Sequence, residues 1–171
     1  MFHLNNNKKD TTEEFYKAFI MGDNDEQFNL WLNDDFNPNK KDCFGEPLIM
    51  NILCTYTGGT LKLNESDLKE TVSLVIGHEK YDPNQTNDFG EIPLFAIARN
   101  KELNCVAKAL LSLEKTDLTK SNDAGVNIYE SAMISGNYEF MEMLLNTGKF
   151  NFMTKGQCEI YAKDVESRHA Q

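Results

Sequence analysis

The chain of 171 residues has no run of about eighteen apolar residues, the length that a membrane-spanning helix needs. It also lacks an apolar stretch near its start, where MFHLNNNKKDTTEE is polar throughout, so neither a signal peptide nor a membrane span is expected. Its four cysteines, Cys43, Cys54, Cys105 and Cys158, form no Cys-x-x-Cys. Zinc-ribbon and dithiol redox motifs are thereby excluded, and the scattered thiols are read as reduced in a cytosol. Cations are scarce: Lys and Arg number 17 against 27 Asp and Glu, and Arg occurs only at 99 and 168. A formal charge of −10 repels phosphate backbones and anionic leaflets, so nucleic acid is not expected as a partner.

Catalytic vocabulary is equally thin. Of the histidines His3, His78 and His169, only His78 lies away from the chain ends. Beside Glu79 after Gly77 it is read as a helix-end residue, with general-base chemistry by His78 and a carboxylate as the lesser alternative. Asp23-Asn24-Asp25 comes nearest to a calcium loop, but Phe28 occupies the position that requires glycine. Gly58-Gly59-Thr60 lacks the lysine of a phosphate-binding loop. No cofactor and no metal are expected, and the chain is read as a non-enzyme.

What is present is repetition. Asn39-Lys-Lys-Asp-Cys-Phe-Gly45, Asn84-Gln-Thr-Asn-Asp-Phe-Gly90 and Thr119-Lys-Ser-Asn-Asp-Ala-Gly125 align on their glycines. Helix-like stretches follow each glycine, at 46–56, 91–100 and 126–135, and a second amphipathic stretch follows each of those, at 66–77, 102–113 and 137–145. Each glycine supplies a positive φ to its turn, and Asp42, Asn87 and Asn122, three residues earlier, can accept hydrogen bonds from nearby backbone. Leu48, Ile49, Ile52, Leu94, Ile97, Ile128 and Ala132 are predicted to form the inner core. Leu30, Leu68, Val72, Leu74, Val106, Leu110, Met141, Leu144 and Leu145 complete it from the second helices.

These segments resemble ankyrin repeats, whose unit is a turn followed by two antiparallel helices. Gly90-Glu-Ile-Pro-Leu-Phe-Ala-Ile-Ala98 is similar to the family's Thr-Pro-Leu-His-x-Ala signature, with Ile92 and Phe95 in place of Thr and His. Ala132 to Gly148, with Gly136, Glu139, Leu144 and Leu145, carries the rest of the pattern. The resemblance covers about residues 12–166. It implies an all-α solenoid of stacked helix-turn-helix units with hairpin-like turns. The expected organisation is a flexible 1–11, one domain over 12–166 and a flexible tail over 167–171. Within the domain, a cap pair spans 12–35, repeats span 36–80, 81–115 and 116–150, and a partial cap spans 151–166. Gly90 to Gly125 is 35 residues, near the family period, whereas Gly45 to Gly90 is 45, so an insert is placed at 57–66. That loop is read as decoration or a binding extension.

Membership implies a partner protein, held by the hairpin tips and the exposed side of the first helices. The candidate contacts are Cys43, Phe44, Asp88, Phe89, Glu91, Arg99, Asp123, Val126 and Ile134, with Glu46, Thr55, Asn100, Ala124 and Ser135 alongside. Phe44 and Phe89 either make one exposed aromatic ridge or fold back over the repeat core. Arg99 is read as offering its guanidinium to a partner carboxylate, or as pairing with Glu102 at helical spacing. A monomer is expected, in the cytoplasm or delivered into a host cell by a specialised secretion system. The analogy is to effectors of intracellular bacteria acting on host proteins; a regulatory or scaffold subunit of its own cell is the alternative.

Overall fold

The computed structural model describes residues 10–59 and 63–149. Eight α-helices are found there: α1 (Thr11–Met21), α2 (Asn24–Trp31), α3 (Leu48–Thr57), α4 (Glu65–Gly77), α5 (Pro93–Arg99), α6 (Asn104–Leu111), α7 (Ile128–Ile134) and α8 (Tyr138–Asn146). A single 3₁₀ turn, Lys101–Leu103, leads into α6. The described residues contain no strand, only isolated bridges between Lys41 and Pro47 and between Ser121 and Asn127. The chain divides between Asp82 and Pro83 into two compact units.

In the first unit α1 packs on α2 and α3, and α4 packs on α2 and α3. First helices therefore stack on first helices and second on second. The pattern repeats in the second unit, where α5 meets α7, α6 meets α8, and each pair is closed by its own turn. Helix α1 opens on Asp10, whose carboxylate accepts from Thr12 N–H and Glu13 N–H, so Asp10 and Thr11 belong to this cap and not to the flexible stretch expected over 1–11. Helix α4 is opened by a reciprocal capping box between Asn64 and Asp67. That box starts the helix one residue before the expected 66, inside the stretch expected as an insert over 57–66; residues 60–62 of that stretch lie outside the described residues. The partial cap expected over 151–166 also lies outside them.

The first helices begin two residues later than their sequence pattern predicts. The two residues after each turn glycine are the returning arm of the hairpin: Glu46, Glu91 and Val126 each accept a backbone hydrogen bond from Asp42, Asn87 and Asn122. Three different residues then start the helices. Pro47 caps α3, Pro93 is the first residue of α5 with its φ already suited to a helix, and Asn127 caps α7 in a capping box with Glu130.

Aromatic rings as well as the expected aliphatic stripe fill the core. Phe15, Phe19 and Phe36 are fully buried in the first unit, and Phe95, Tyr129 and Phe140 in the second. Phe95, standing where the family signature has His, is at 0% exposure. Leu30, Leu74 and Leu145, expected inside, are only half-buried, because they lie toward the outer side of the second helices.

Polar pins join the layers. In the first unit Gln27 accepts from Thr71 at 2.6 Å, and both groups are buried. In the second, buried Asn137 donates to the Ile97 carbonyl at 2.9 Å and exchanges hydrogen bonds with Asn104 at 2.9 and 3.0 Å.

Candidate partner-binding surface

Each hairpin tip is built by one Asx side chain and one glycine. Asp42 Oδ1 accepts from the N–H of Phe44 at 2.8 Å and of Glu46 at 2.9 Å. Asn87 does the same for Phe89 and Glu91, both at 3.0 Å, and Asn122 for Ala124 and Val126 at 3.1 and 3.0 Å. In each case the glycine N–H returns to the Asx carbonyl, and Gly45, Gly90 and Gly125 have φ of 78°, 75° and 76°. The side chain just before the glycine is thereby aimed away from the turn. Phe44 is 79% exposed and Phe89 66% exposed, so neither ring covers the repeat core. Phe44 belongs to the first unit and Phe89 to the second.

Within the second unit two tips are linked directly. Asp123 N–H donates to the Phe89 carbonyl at 3.0 Å. This makes Gly90 a tight position, where a Cβ would meet the movable Asp123 carboxylate oxygen at 2.4 Å and the Asp123 backbone nitrogen at 3.1 Å. Next to this link Glu91 turns inward. Its carboxylate is buried and accepts from both terminal guanidinium nitrogens of Arg99, at 2.5 and 2.6 Å, and from the Asn122 amide at 3.1 Å. The Arg99 hydrogen bonds hold the Glu91 carboxyl below the usual carboxylate range, against the opposing effect of its burial.

Two expectations are corrected here. The carboxylate that Arg99 forks within the chain is Glu91, eight residues back on the hairpin arm, where helical spacing points to Glu102. Glu91 is 6% exposed, so its acid group faces the repeat and not a partner. The bonds tie the last residue of α5 to the hairpin arm that leads into that helix. The remaining candidates are Cys43, Asp88 and Asp123, exposed at the tips, Val126, half-buried, and Ile134, which stands 75% exposed at the end of α7. Of the neighbouring positions, Thr55 is half-buried and its hydroxyl meets Tyr16 at 2.5 Å.

His78 is the C-cap of α4, and its Nδ1 accepts from Lys80 N–H at 3.2 Å. Its ring meets Trp31 edge-on at 5.9 Å and Phe36 at 5.4 Å. The imidazole thus joins a ring cluster. Among the described residues no group of three or more His, Cys, Asp or Glu is placed to hold a metal ion, and no helix is long and apolar enough to cross a membrane.

The model of the family described as ankyrin repeats (3 copies) matches residues 61–154, more than half of the chain. This is an ankyrin-repeat protein. The match begins after the first hairpin and α3, yet that hairpin has the turn geometry of the two inside it. No curated protein matches the chain. Ankyrin repeats are interaction modules, in general non-catalytic scaffolds, and this ankyrin protein carries three Asx-pinned tips on which such contact can be built.

Proposed function

We propose that this ankyrin-repeat protein binds a partner protein, without catalysis, through its hairpin tips and the exposed side of its first helices. The observation that carries the reading is the exposure of Phe44, Phe89 and Ile134 on backbone already fixed by hydrogen bonds. An aromatic side chain held out on a rigid turn loses little conformational freedom on binding and contributes a large contact area. Cys43, Asp88, Asp123 and Val126 surround these anchors, and Arg99 contributes the outer face of its half-exposed guanidinium. The working place proposed is a cytosol, where an exposed thiol such as Cys43 stays reduced. Action on host proteins as a delivered effector is the finer form of the proposal, resting on the resemblance of small ankyrin proteins to such effectors.

The test is affinity capture from whole-cell extract with the purified chain beside its Phe44→Ala/Phe89→Ala variant, with partners identified by mass spectrometry. Because both rings are exposed, the variant is expected to melt within a degree or two of the parent, as surface substitutions do. It is also expected to lose the captured protein. A partner retained by the variant overturns the assignment of the tips.

A further inference from the structure

Among the described residues, the outer face of the first unit carries a largely apolar groove between α2 and α4 that shares no residue with the hairpin tips. Its volume is 520 Å³. Phe28 and Trp31 of α2 and Leu74 of α4 form its floor, and Asp25 and Glu70 stand on its rim. Among the described residues no Lys or Arg lines it. Phe28 is 49% exposed yet is stacked on Trp31, with ring centroids 5.9 Å apart and planes 20° from parallel. A ring so held is already in place for contact. Trp31 is half-buried, and its indole N–H is buried with no hydrogen-bond partner among the described residues. Glu70 is fixed in turn by the Asn24 amide, which donates to it at 2.6 Å.

We propose that this groove docks a basic amphipathic helix of a partner protein. The helix lays its apolar side on Phe28, Trp31 and Leu74 and sets Lys or Arg against Asp25 and Glu70. Charge selects this occupant. Helix α2 has no basic residue, and residues 1–82 carry fifteen acidic side chains against eight basic ones, so an acidic or phosphate-bearing ligand is repelled while a cationic one is steered in. An apolar floor between two helices with charged rims is the arrangement by which helix-in-groove recognition works. The surface is separate from the tips, so a protein could engage both sides of this unit.

Trp31 is the only tryptophan in the chain, which makes its emission a reporter of the groove itself. The full chain is titrated, at physiological ionic strength, with a synthetic amphipathic helix of Lys and Leu containing no aromatic residue. Two control peptides replace every Lys by Glu, or every Leu by Ser. A saturable shift of Trp31 emission is expected with the Lys/Leu helix alone. Phe28→Lys is expected to weaken it at least about tenfold, the size of one lost anchor, and Asp25→Asn/Glu70→Gln about fivefold. Asp34→Asn/Asp35→Asn, outside the groove, leaves it unchanged. Equal binding by the Lys/Ser peptide, or equal weakening by the Asp34/Asp35 variant, would mean diffuse attraction to an acidic surface and would overturn the proposal, as would the absence of any saturable change. Should Phe28→Lys alter the circular dichroism, the Asp25/Glu70 variant decides.

Discussion

Arg99 and Glu91 show how much one residue's setting matters. Arg99 is half-exposed, and its fork neutralises a buried carboxylate that would otherwise lie in the protein without a counter-charge. Arg99→Met should therefore lower stability by roughly 2 kcal/mol in urea unfolding at neutral pH, less than a fully buried pair because water screens the guanidinium. The acid dependence follows from the lowered Glu91 carboxyl. In the unfolded chain this group takes up its proton at the ordinary carboxylate pH, before it does so in the folded protein. Its stabilisation is present above that pH and is lost as pH falls through the folded value. Urea midpoints measured from neutral to acid pH should fall in the parent, and this component of the fall should shrink in Arg99→Met. The pair was not legible in the sequence. Helical spacing points Arg99 at Glu102, whereas eight residues of separation become contact only once the hairpin arm and α5 have formed.

At the scale of elements, the turns were the most readable feature, because an Asx three residues before a glycine closes a local ring of hydrogen bonds that needs no distant partner. The starts of the first helices were less so, since the residues after the glycine are claimed by pairing across the hairpin. The same turns separate two glycine substitutions. Gly125→Ala meets open space and carries the cost of a positive φ, about 1 kcal/mol. Gly90→Ala carries that cost, displaces the Asp123 carboxylate and crowds the Asp123 backbone nitrogen at 3.1 Å, so it should lower the melting temperature somewhat further and loosen the Phe89–Asp123 link. Thermal melts of the two variants check the order. Asn137→Leu removes the donor to the Ile97 carbonyl and to the Asn104 side-chain oxygen, while the Asn104 amide keeps its bond to the Glu139 carboxylate; a loss of about 2 kcal/mol is expected, measured by urea unfolding. The groove between α2 and α4 escaped the sequence reading for the opposite reason to the turns. Phe28 and Leu74 are far apart in the chain, and only helix packing brings them together.

For the molecule as a whole, charge is shared unequally. Residues 1–82 hold fifteen acidic and eight basic side chains, and residues 83–171 twelve and nine. Self-repulsion should therefore weigh on the first unit more than the second. Raising ionic strength from about 0.01 M to about 0.15 M shortens the screening length from about 30 Å to about 8 Å. The urea midpoint seen by Trp31, which reports the first unit alone, should rise more over this range than the midpoint seen by circular dichroism of all the helices. The ankyrin architecture itself was legible from glycine spacing and apolar periodicity. The unequal charge is legible there as well, once the boundary at Asp82 is known.

Successive turns are also joined by asparagine side chains that grip main-chain groups. Asn39 donates to the Lys80 carbonyl at 2.5 Å and accepts from Asp82 N–H at 2.8 Å; Asn84 repeats both bonds with Lys115 and Asp117, each at 2.7 Å. Every residue except proline supplies both backbone groups, so the amide grips whatever sequence follows it in that turn. Substitutions in the gripped turn other than to proline leave these two bonds intact, so this joint places no demand on the side chains of the turn it holds.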